Sequence, residues 1–146
     1  MLEARVCLSK GSAVVKNSIY INWVERNNTG IRIIDEQHKG IVSLINSLHF
    51  SIVQEGCGDV TLPIARSIEY YTDIHFHAEQ LFLEKSGYPD IKAHIALHNR
   101  FVSTARRNER ELESSELLGV LKDWWLHHIN VEDKKYVPHL MGFLNL

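Results

Sequence analysis

The sequence has few prolines, few cysteines and no long apolar run, and each shortage excludes a class of protein. Three prolines and 146 residues fit one compact domain and leave too little chain for two. The two cysteines, Cys7 and Cys57, are too few for a disulfide framework and too far apart for a CxxC motif, so we expect reduced thiols. No apolar stretch approaches the roughly 20 residues that span a bilayer, and Lys16 interrupts the first apolar run before it could act as a signal peptide. These absences predict a cytoplasmic protein with no membrane partner.

The chain also lacks an excess of basic charge. Sixteen Lys and Arg residues stand against eighteen Asp and Glu residues, which gives a formal net charge of -2. No basic cluster is dense enough to follow a phosphate backbone, so nucleic acid is not an expected partner. Because 45% of the residues are hydrophobic and 23% are charged, the composition is that of a globular domain.

Apolar residues recur at three- and four-residue steps in four segments, which predicts four helices. Residues that cap or end helices bound the segments, which run from Asp35 to Gly56, from Thr61 to Gly87, from Asp90 to Glu113 and from Ser114 onward. With short connections and no strand alternation of useful length, the predicted fold is all-α, an up-down-up-down four-helix bundle. Residues 1–22 show no sustained period and predict an extended N-terminal arm, which leaves 23–146 as the bundle.

Nine histidines are the unusual feature of the composition. Five of them lie on the apolar stripes of the predicted helices, and every helix contributes at least one: His38, His75, His94, His98 and His128. A single histidine on such a stripe is usually a core residue bonded to a carbonyl group. Burying each imidazole without a partner costs about 1 to 3 kcal/mol, so five together require something that binds their nitrogens. A metal ion meets that requirement.

The spacing of these residues adds two carboxylates to the set. His94 and His98 are four residues apart and project from one face of a helix, and His75 and Glu79 repeat this geometry. His128 and Asp133 are five apart, about 140° out of phase on a regular helix, so a shared site requires an irregularity near Asn130 such as a π-bulge.

The other histidines do not fit the site. His77 and His127 point away from the stripes, His49 lies about 16 Å along the axis from His38, and His139 has no motif around it. Five imidazoles and two carboxylates suit first-row divalent metals, iron or zinc among them, and the lack of cysteine ligands argues against a structural zinc site. Seven ligands are too many for one ion, which favours two metals bridged by carboxylate.

These residues resemble the hemerythrin family, and within it the bacterial hemerythrin-like domains. The resemblance covers residues from about Trp23 to Tyr136. The matching motifs, in chain order, are Ile34-Asp35-Glu36-Gln37-His38-Lys39, His75-Phe76 with Glu79, Gly87-Tyr88-Pro89 followed by His94 and His98, and His128-Ile129 with Asp133. The resemblance implies two non-heme iron ions joined by an oxo or hydroxo group, with one iron on His94, His98 and His128.

The resemblance further implies that His38 and His75 hold the second iron, and that Glu79 and Asp133 bridge the pair. On this scheme one coordination position stays vacant on the iron with two histidines, where dioxygen would bind. A ligand set rich in neutral nitrogen favours holding dioxygen over cleaving it. Aromatic and aliphatic residues are expected to form a dry wall around the site, namely Phe76, Phe82, Leu97, Phe101, Trp124 and Trp125.

Three functions are compatible with such a site. The first is a reversible oxygen or redox sensor whose state passes to an output domain beyond residue 146, since the long arm and the apolar ending Leu140–Leu146 are places to attach a partner. The second is a free oxygen carrier or storage protein. The third is a diiron enzyme, such as a peroxidase, nitric oxide reductase or ferroxidase, but no further acid or base is recognisable near the ligands. We therefore expect a dioxygen-binding protein rather than an enzyme.

Overall fold

Five helices make up the computed structural model, which describes residues 19–111 and 113–146. They are α1 (Arg32–Val53), α2 (Thr61–Ser86), α3 (Ile91–Glu111), α4 (Ser114–His127) and α5 (Val137–Leu144). A π-helical turn, His128–Glu132, and a 3₁₀ turn, Asp133–Lys135, connect α4 to α5. The described residues contain no strand, and none of their helices is both long enough and apolar enough to cross a membrane.

The four long helices form the bundle that the sequence predicts. α1 packs against α2 and α4, and α3 packs against the same two helices. Gly87 caps the C-terminal end of α2. Its φ of 67° is a left-handed conformation that glycine adopts without strain. α5 was not predicted as a helix. It packs across one end of the bundle and buries Leu140 completely, so the apolar ending of the chain contributes to the core.

The first helix begins earlier than predicted, so the assignment of Asp35 as its N-cap is wrong. α1 starts at Arg32, and Asp35 lies within its first turn. The Asp35 carboxylate instead accepts hydrogen bonds from Thr29 N at 2.6 Å, Thr29 Oγ1 at 2.8 Å and Gly30 N at 3.1 Å. It therefore fixes the turn before the helix and supplies an acceptor for the N–H group of the buried Thr29.

Two apolar clusters occupy the interior of the bundle. The larger one includes Ile41 on α1 and Phe76 on α2, and the smaller one includes Ile34 on α1 and Leu83 on α2. His38 on α1 and Glu79 on α2 fall between these positions in the chain, and His75 immediately precedes Phe76. The polar site therefore lies between two apolar layers that limit the access of water.

Most of the predicted N-terminal arm lies outside the described residues, which begin at 19. Its last part packs on α1, where Ile21 N donates to Asn46 Oδ1 at 2.7 Å and Asn46 Nδ2 donates to the Ile21 carbonyl at 2.9 Å. Cys57 is disulfide-bonded, so the expectation of a reduced thiol is wrong for this residue; Cys7 lies outside the described residues. A low cysteine count excludes a framework of disulfides but not a single bond.

Candidate metal centre

The structure brings together all seven residues that the sequence predicts as metal ligands. α1 contributes His38, α2 contributes His75 and Glu79, α3 contributes His94 and His98, and the turns after α4 contribute His128 and Asp133. All seven side chains are buried, and His94 is the most exposed of them at 6%. Their donor atoms form two groups, and within each group the atoms lie within 4.8 Å of one another.

The larger group surrounds one point with five donor atoms. Glu79 Oε2 lies 3.0 Å from His94 Nε2 and 3.1 Å from His98 Nε2. His128 Nε2 lies 3.0 Å from His98 Nε2 and 2.9 Å from Asp133 Oδ1. Metal–nitrogen bonds of about 2.1 Å place neighbouring ligands of an octahedral ion about 3 Å apart. The observed spacing is therefore that of the ligands of one ion.

The smaller group contains His38, His75, Glu79 and Asp133. His38 Nε2 lies 3.0 Å from Asp133 Oδ2, the second oxygen of a carboxylate whose Oδ1 contacts His128. Glu79 and Asp133 thus belong to both groups, and each carries two oxygens. The arrangement has the form of two neighbouring cation positions that share two carboxylates.

The polar atoms of this cluster lack the partners that buried groups normally have. His38 Nε2, His75 Nε2 and both Asp133 oxygens are buried without a hydrogen bond of acceptable geometry. His98 Nε2 and His128 Nε2 approach to 3.0 Å, where two nitrogen lone pairs repel unless a proton or a cation lies between them. Unsatisfied buried groups of this kind cost about 1 to 3 kcal/mol each. Cations coordinated by these atoms would remove that cost, so the residues fit a metal centre.

The predicted irregularity after α4 is confirmed as a π-helical turn. It spans His128–Glu132, around the Asn130 position that the sequence indicates. Asn130 Nδ2 donates to the Leu126 carbonyl at 2.7 Å, and Asn130 Oδ1 accepts from Asn27 Nδ2 at 3.0 Å. These bonds tie the turn to α4 and to the segment before α1, and the widened turn points Asp133 at the same site as His128.

Two supporting residues were missed by the sequence reasoning. Gln37 Oε1 lies 3.0 Å from His75 Nδ1, and because an amide oxygen only accepts, Nδ1 donates and Nε2 is left to face the cluster. The Tyr136 hydroxyl donates to Glu79 Oε1 and leaves Oε2 for the histidines. Tyr136 follows Asp133 by three residues and Gln37 precedes His38, so proximity to a ligand was the only available signal.

Burial and charge set the protonation of the histidines. Burial lowers the pKa of His75 to about 4, so its imidazole is neutral at pH 7 and able to bind a metal. Burial also lowers the pKa of His98. Burial acts in the same direction on His94, but its hydrogen bond to Glu79 outweighs this effect and raises its pKa.

Both carboxylates are held in the ionised form. Burial raises the pKa of Glu79, but the hydrogen bonds from His94 and His98 outweigh it and leave the pKa well below the usual value. Burial and the nearby Glu79 charge both raise the pKa of Asp133. His128 lowers that pKa by a larger amount, so the net shift is downward. Two buried carboxylates in the ionised form make the cluster a strongly attractive site for divalent cations.

Aromatic side chains cover part of the cluster. Phe76 stacks on His98 with ring centroids 3.6 Å apart, and Trp124 stacks on His128 with centroids 4.4 Å apart. Trp125 is fully buried, with its ring 5.7 Å from that of His75.

The other three residues of the predicted wall stand farther back. Phe101 stacks on Trp124 at 3.7 Å and forms a second layer, Phe82 packs with the smaller apolar cluster, and Leu97 borders a separate surface pocket. Three of the six residues of the predicted wall, Phe76, Trp124 and Trp125, therefore contact the imidazoles. As predicted, His77 and His127 are exposed, and neither they nor His49 and His139 belong to the two donor groups.

Comparison with known proteins agrees with this geometry. Residues 29–140 match the family model described as the Hemerythrin HHE cation binding domain. The chain is 34% identical over 124 residues to a bacteriohemerythrin of Pseudomonas aeruginosa, which covers 81% of this chain and 80% of that protein. It is 28% identical over 114 residues to the myohemerythrin of Theromyzon tessulatum, with 78% and 88% of the two chains covered.

The fold resembles solved structures as well. A crystal structure of a hemerythrin mutant superposes with a TM-score of 0.76 at 24% identity, covering 84% of this chain and 98% of the other. The family match at 29–140 spans every member of the two donor groups, from His38 to Asp133. On this agreement between sequence, fold and buried cluster, the chain belongs to the hemerythrin family.

Proposed function

We propose that the cluster holds two iron ions and that this protein binds dioxygen reversibly. The observation that carries the proposal is the membership of Glu79 and Asp133 in both donor groups, which suits two ions held side by side. One ion would be held by His94, His98 and His128, and the other by His38 and His75. The second group has one imidazole fewer, so an external ligand would find its place there.

The ligand set favours binding over oxidation chemistry. The residues of the two groups would hold two ferrous ions, whose chemistry would be the reversible transfer of electrons to dioxygen. Ferritin-like diiron proteins use four carboxylates with two histidines, whereas this cluster has two carboxylates and five histidines. Neutral nitrogen ligands stabilise the ferrous state, so the site holds dioxygen without cleaving it. Trp125, which is fully buried with its ring 5.7 Å from that of His75, covers the side where the external ligand would bind.

A visible spectrum tests this function. Ferrous protein prepared without oxygen should be nearly colourless, gain a charge-transfer band in air and lose it again when oxygen is removed. A metal content of one zinc per chain, or a band that does not fade, contradicts the proposal. Sustained turnover with excess peroxide or Fe²⁺ would instead indicate an enzyme of the peroxidase or ferroxidase type.

Within this function we favour a sensor over a free carrier, on the basis of one contact. The Tyr136 hydroxyl donates to Glu79 Oε1, and Tyr136 immediately precedes α5. A change in the coordination of Glu79 to metal would therefore alter this hydrogen bond and shift the backbone at the start of α5. A free carrier has no use for such a connection, whereas a sensor passes the ligand state to an output domain or a partner.

Hydrogen exchange distinguishes the sensor from the carrier. The amides of 137–144 should differ in protection between the oxygenated and deoxygenated protein, and Tyr136→Phe should remove that difference while the visible band remains. Tyr88→Phe is a matched control, since the Tyr88 ring contacts Tyr136 and His139. Equal protection of α5 in both states of the native protein would support the carrier.

A further inference from the structure

The seam between α2 and α3 is open at the level of the metal centre. These helices pack less closely than α1 and α2. A cleft of about 410 Å³ opens there, within the range of roughly 300 to 1,000 Å³ that small-molecule sites occupy. A smaller pocket of about 80 Å³ follows along the same seam, and the two cavities share Asp73 and Val102. They are therefore two neighbouring compartments.

The cleft reaches a residue of the cluster directly. His98 lines it, while His98 Nε2 faces inward, 3.1 Å from Glu79 Oε2 and 3.0 Å from His128 Nε2. Phe76 stacks on the same imidazole and also lines the cleft. A molecule lying in the cleft is therefore separated from the donor group by a single imidazole ring.

The lining of the cleft selects the chemistry of its occupant. Three of its lining residues are apolar, namely Phe76, Ile95 and Val102, and the other six are polar, namely Asp73, His77, Gln80, His98, Asn99 and Ser103. None of the lining residues is lysine or arginine, the side chains that most often bind phosphate groups. A mixed lining of apolar side chains, a carboxylate, amides and a hydroxyl group fits a neutral aromatic ring that carries hydroxyl groups.

The neighbouring pocket suits an apolar substituent on such a ring. Ile68, Phe101 and Leu121 line it, and Thr72 contributes a buried hydroxyl that has no hydrogen-bond partner. At its mouth Arg106 Nε lies 3.6 Å from Glu69 Oε1, so the nearest cation already has an anionic neighbour. The two compartments together match a hydroquinone whose ring lies against His98 and whose hydrocarbon part enters the pocket.

We propose that this cleft binds a neutral hydroquinone that reduces the metal centre through His98. The inference rests on the proposed function, because ferrous ions that bind dioxygen lose electrons to it occasionally and must be reduced again. The hydroquinone gives up two electrons and two protons and becomes the quinone. Each of two ferric ions held there would take one electron, and both protons would pass to water in the cleft.

Reduction kinetics with menadiol, a methyl-substituted naphthohydroquinone, test the inference. Ferric protein is mixed with menadiol without oxygen, and the loss of ferric absorption is followed by stopped flow. The rate should saturate with menadiol concentration. Asn99→Trp, which fills the cleft from an exposed position, should abolish saturation and slow reduction by roughly tenfold or more. Ala96→Trp, also exposed on α3 but outside the cleft, should leave the rate unchanged.

Dithionite separates failure of this inference from failure of the proposed function. It should reduce the native protein and both variants at the same rate, because it needs no aromatic site. Ser103→Trp repeats the test from another cleft position if Asn99→Trp fails to fold. As a second readout, menadione should bind the native ferric protein in equilibrium dialysis and not bind Asn99→Trp. The inference alone is overturned if dithionite reduces all variants normally and the menadiol rates rise linearly and equally in all of them. Absence of iron overturns the proposed function and this inference together.

Discussion

Asp133 follows His128 by five residues, yet Asp133 Oδ1 lies 2.9 Å from His128 Nε2. On a regular helix these side chains would point about 140° apart. The π-helical turn at His128–Glu132 brings them to one face and so supplies the second shared carboxylate of the cluster. This part of the fold serves the site at the expense of regular helix geometry, as π-bulges often do.

Asp133→Asn should remove metal from both donor groups. The carboxylate belongs to each group, and an amide in its place carries no negative charge. Because metal binding and folding are coupled, we expect iron to fall from about two ions per chain to less than one and the melting temperature to drop. Glu132→Gln is the matched control, since Glu132 pairs with Lys135 at 2.6 Å. Elemental analysis showing unchanged iron in Asp133→Asn would refute the role of this residue.

Gln37→Leu should loosen metal held by His75. The substitution removes the acceptor for His75 Nδ1, which lies 3.0 Å from Gln37 Oε1. Loss of such an outer contact typically weakens metal affinity by about 10 to 100-fold. Gln37→Glu keeps an acceptor and should retain the iron. The measurement is the rate of iron loss to a chelator, and equal rates in Gln37→Leu and the native protein would show that this bond does not orient the ligand.

The metal-free protein should lose stability as the pH falls from 6.5 toward 4. Burial lowers the pKa of His75 to about 4 in the folded state, against 6.5 when unfolded, so the unfolded chain binds a proton first. The stability that comes from the neutral His75 is fully present above pH 6.5 and is lost as the pH falls toward 4. The loss reaches roughly 3 kcal/mol once His75 is protonated in both the folded and the unfolded protein.

The lowered pKa values of Glu79 and Asp133 act in the same direction at lower pH, whereas the raised pKa of His94 opposes it. Urea unfolding at a series of pH values checks the net effect. A free energy of unfolding that stays constant or increases on acidification would contradict it.

Gly40→Ala should destabilise the contact between α1 and α2. A Cβ atom at position 40 would lie 2.5 Å from the Tyr71 hydroxyl oxygen, closer than packed atoms approach. Overpacking of this kind costs about 1 to 3 kcal/mol. Gly119→Ala on α4 is the control, because nothing lies within 4 Å of its Cβ position, and it should stabilise the helix slightly. A thermal unfolding experiment in which both variants behave alike would count against close packing at Gly40.

The helices and the cluster were predictable because both follow helix periodicity. Spacings of four residues placed Glu79 beside His75 and His98 beside His94, and the phase of Asp133 relative to His128 required the irregular turn that the structure contains. Local sequence carries this information without knowledge of the packing. The resemblance to hemerythrins added the assignment of His94, His98 and His128 to one iron and of His38 and His75 to the other.

Other features depend on contacts between distant parts of the chain. The bond from Tyr136 to Glu79 joins residues 57 positions apart, and no local pattern encodes it. The residue type of Asp35 predicts an N-cap, but its carboxylate oxygens accept hydrogen bonds from the turn that precedes α1. The role of α5 was open because its short apolar sequence fits a linker as well as a packed helix, and only burial of Leu140 decides between them.

Anomalous diffraction at the iron absorption edge, on crystals of the iron-loaded protein, tests the central claim most directly. We expect two iron peaks within the cluster, one bound by His94, His98 and His128 and the other by His38 and His75, with Glu79 and Asp133 in contact with both. A single peak, or a site beside His38 and His75 that stays empty at full iron loading, would contradict the account.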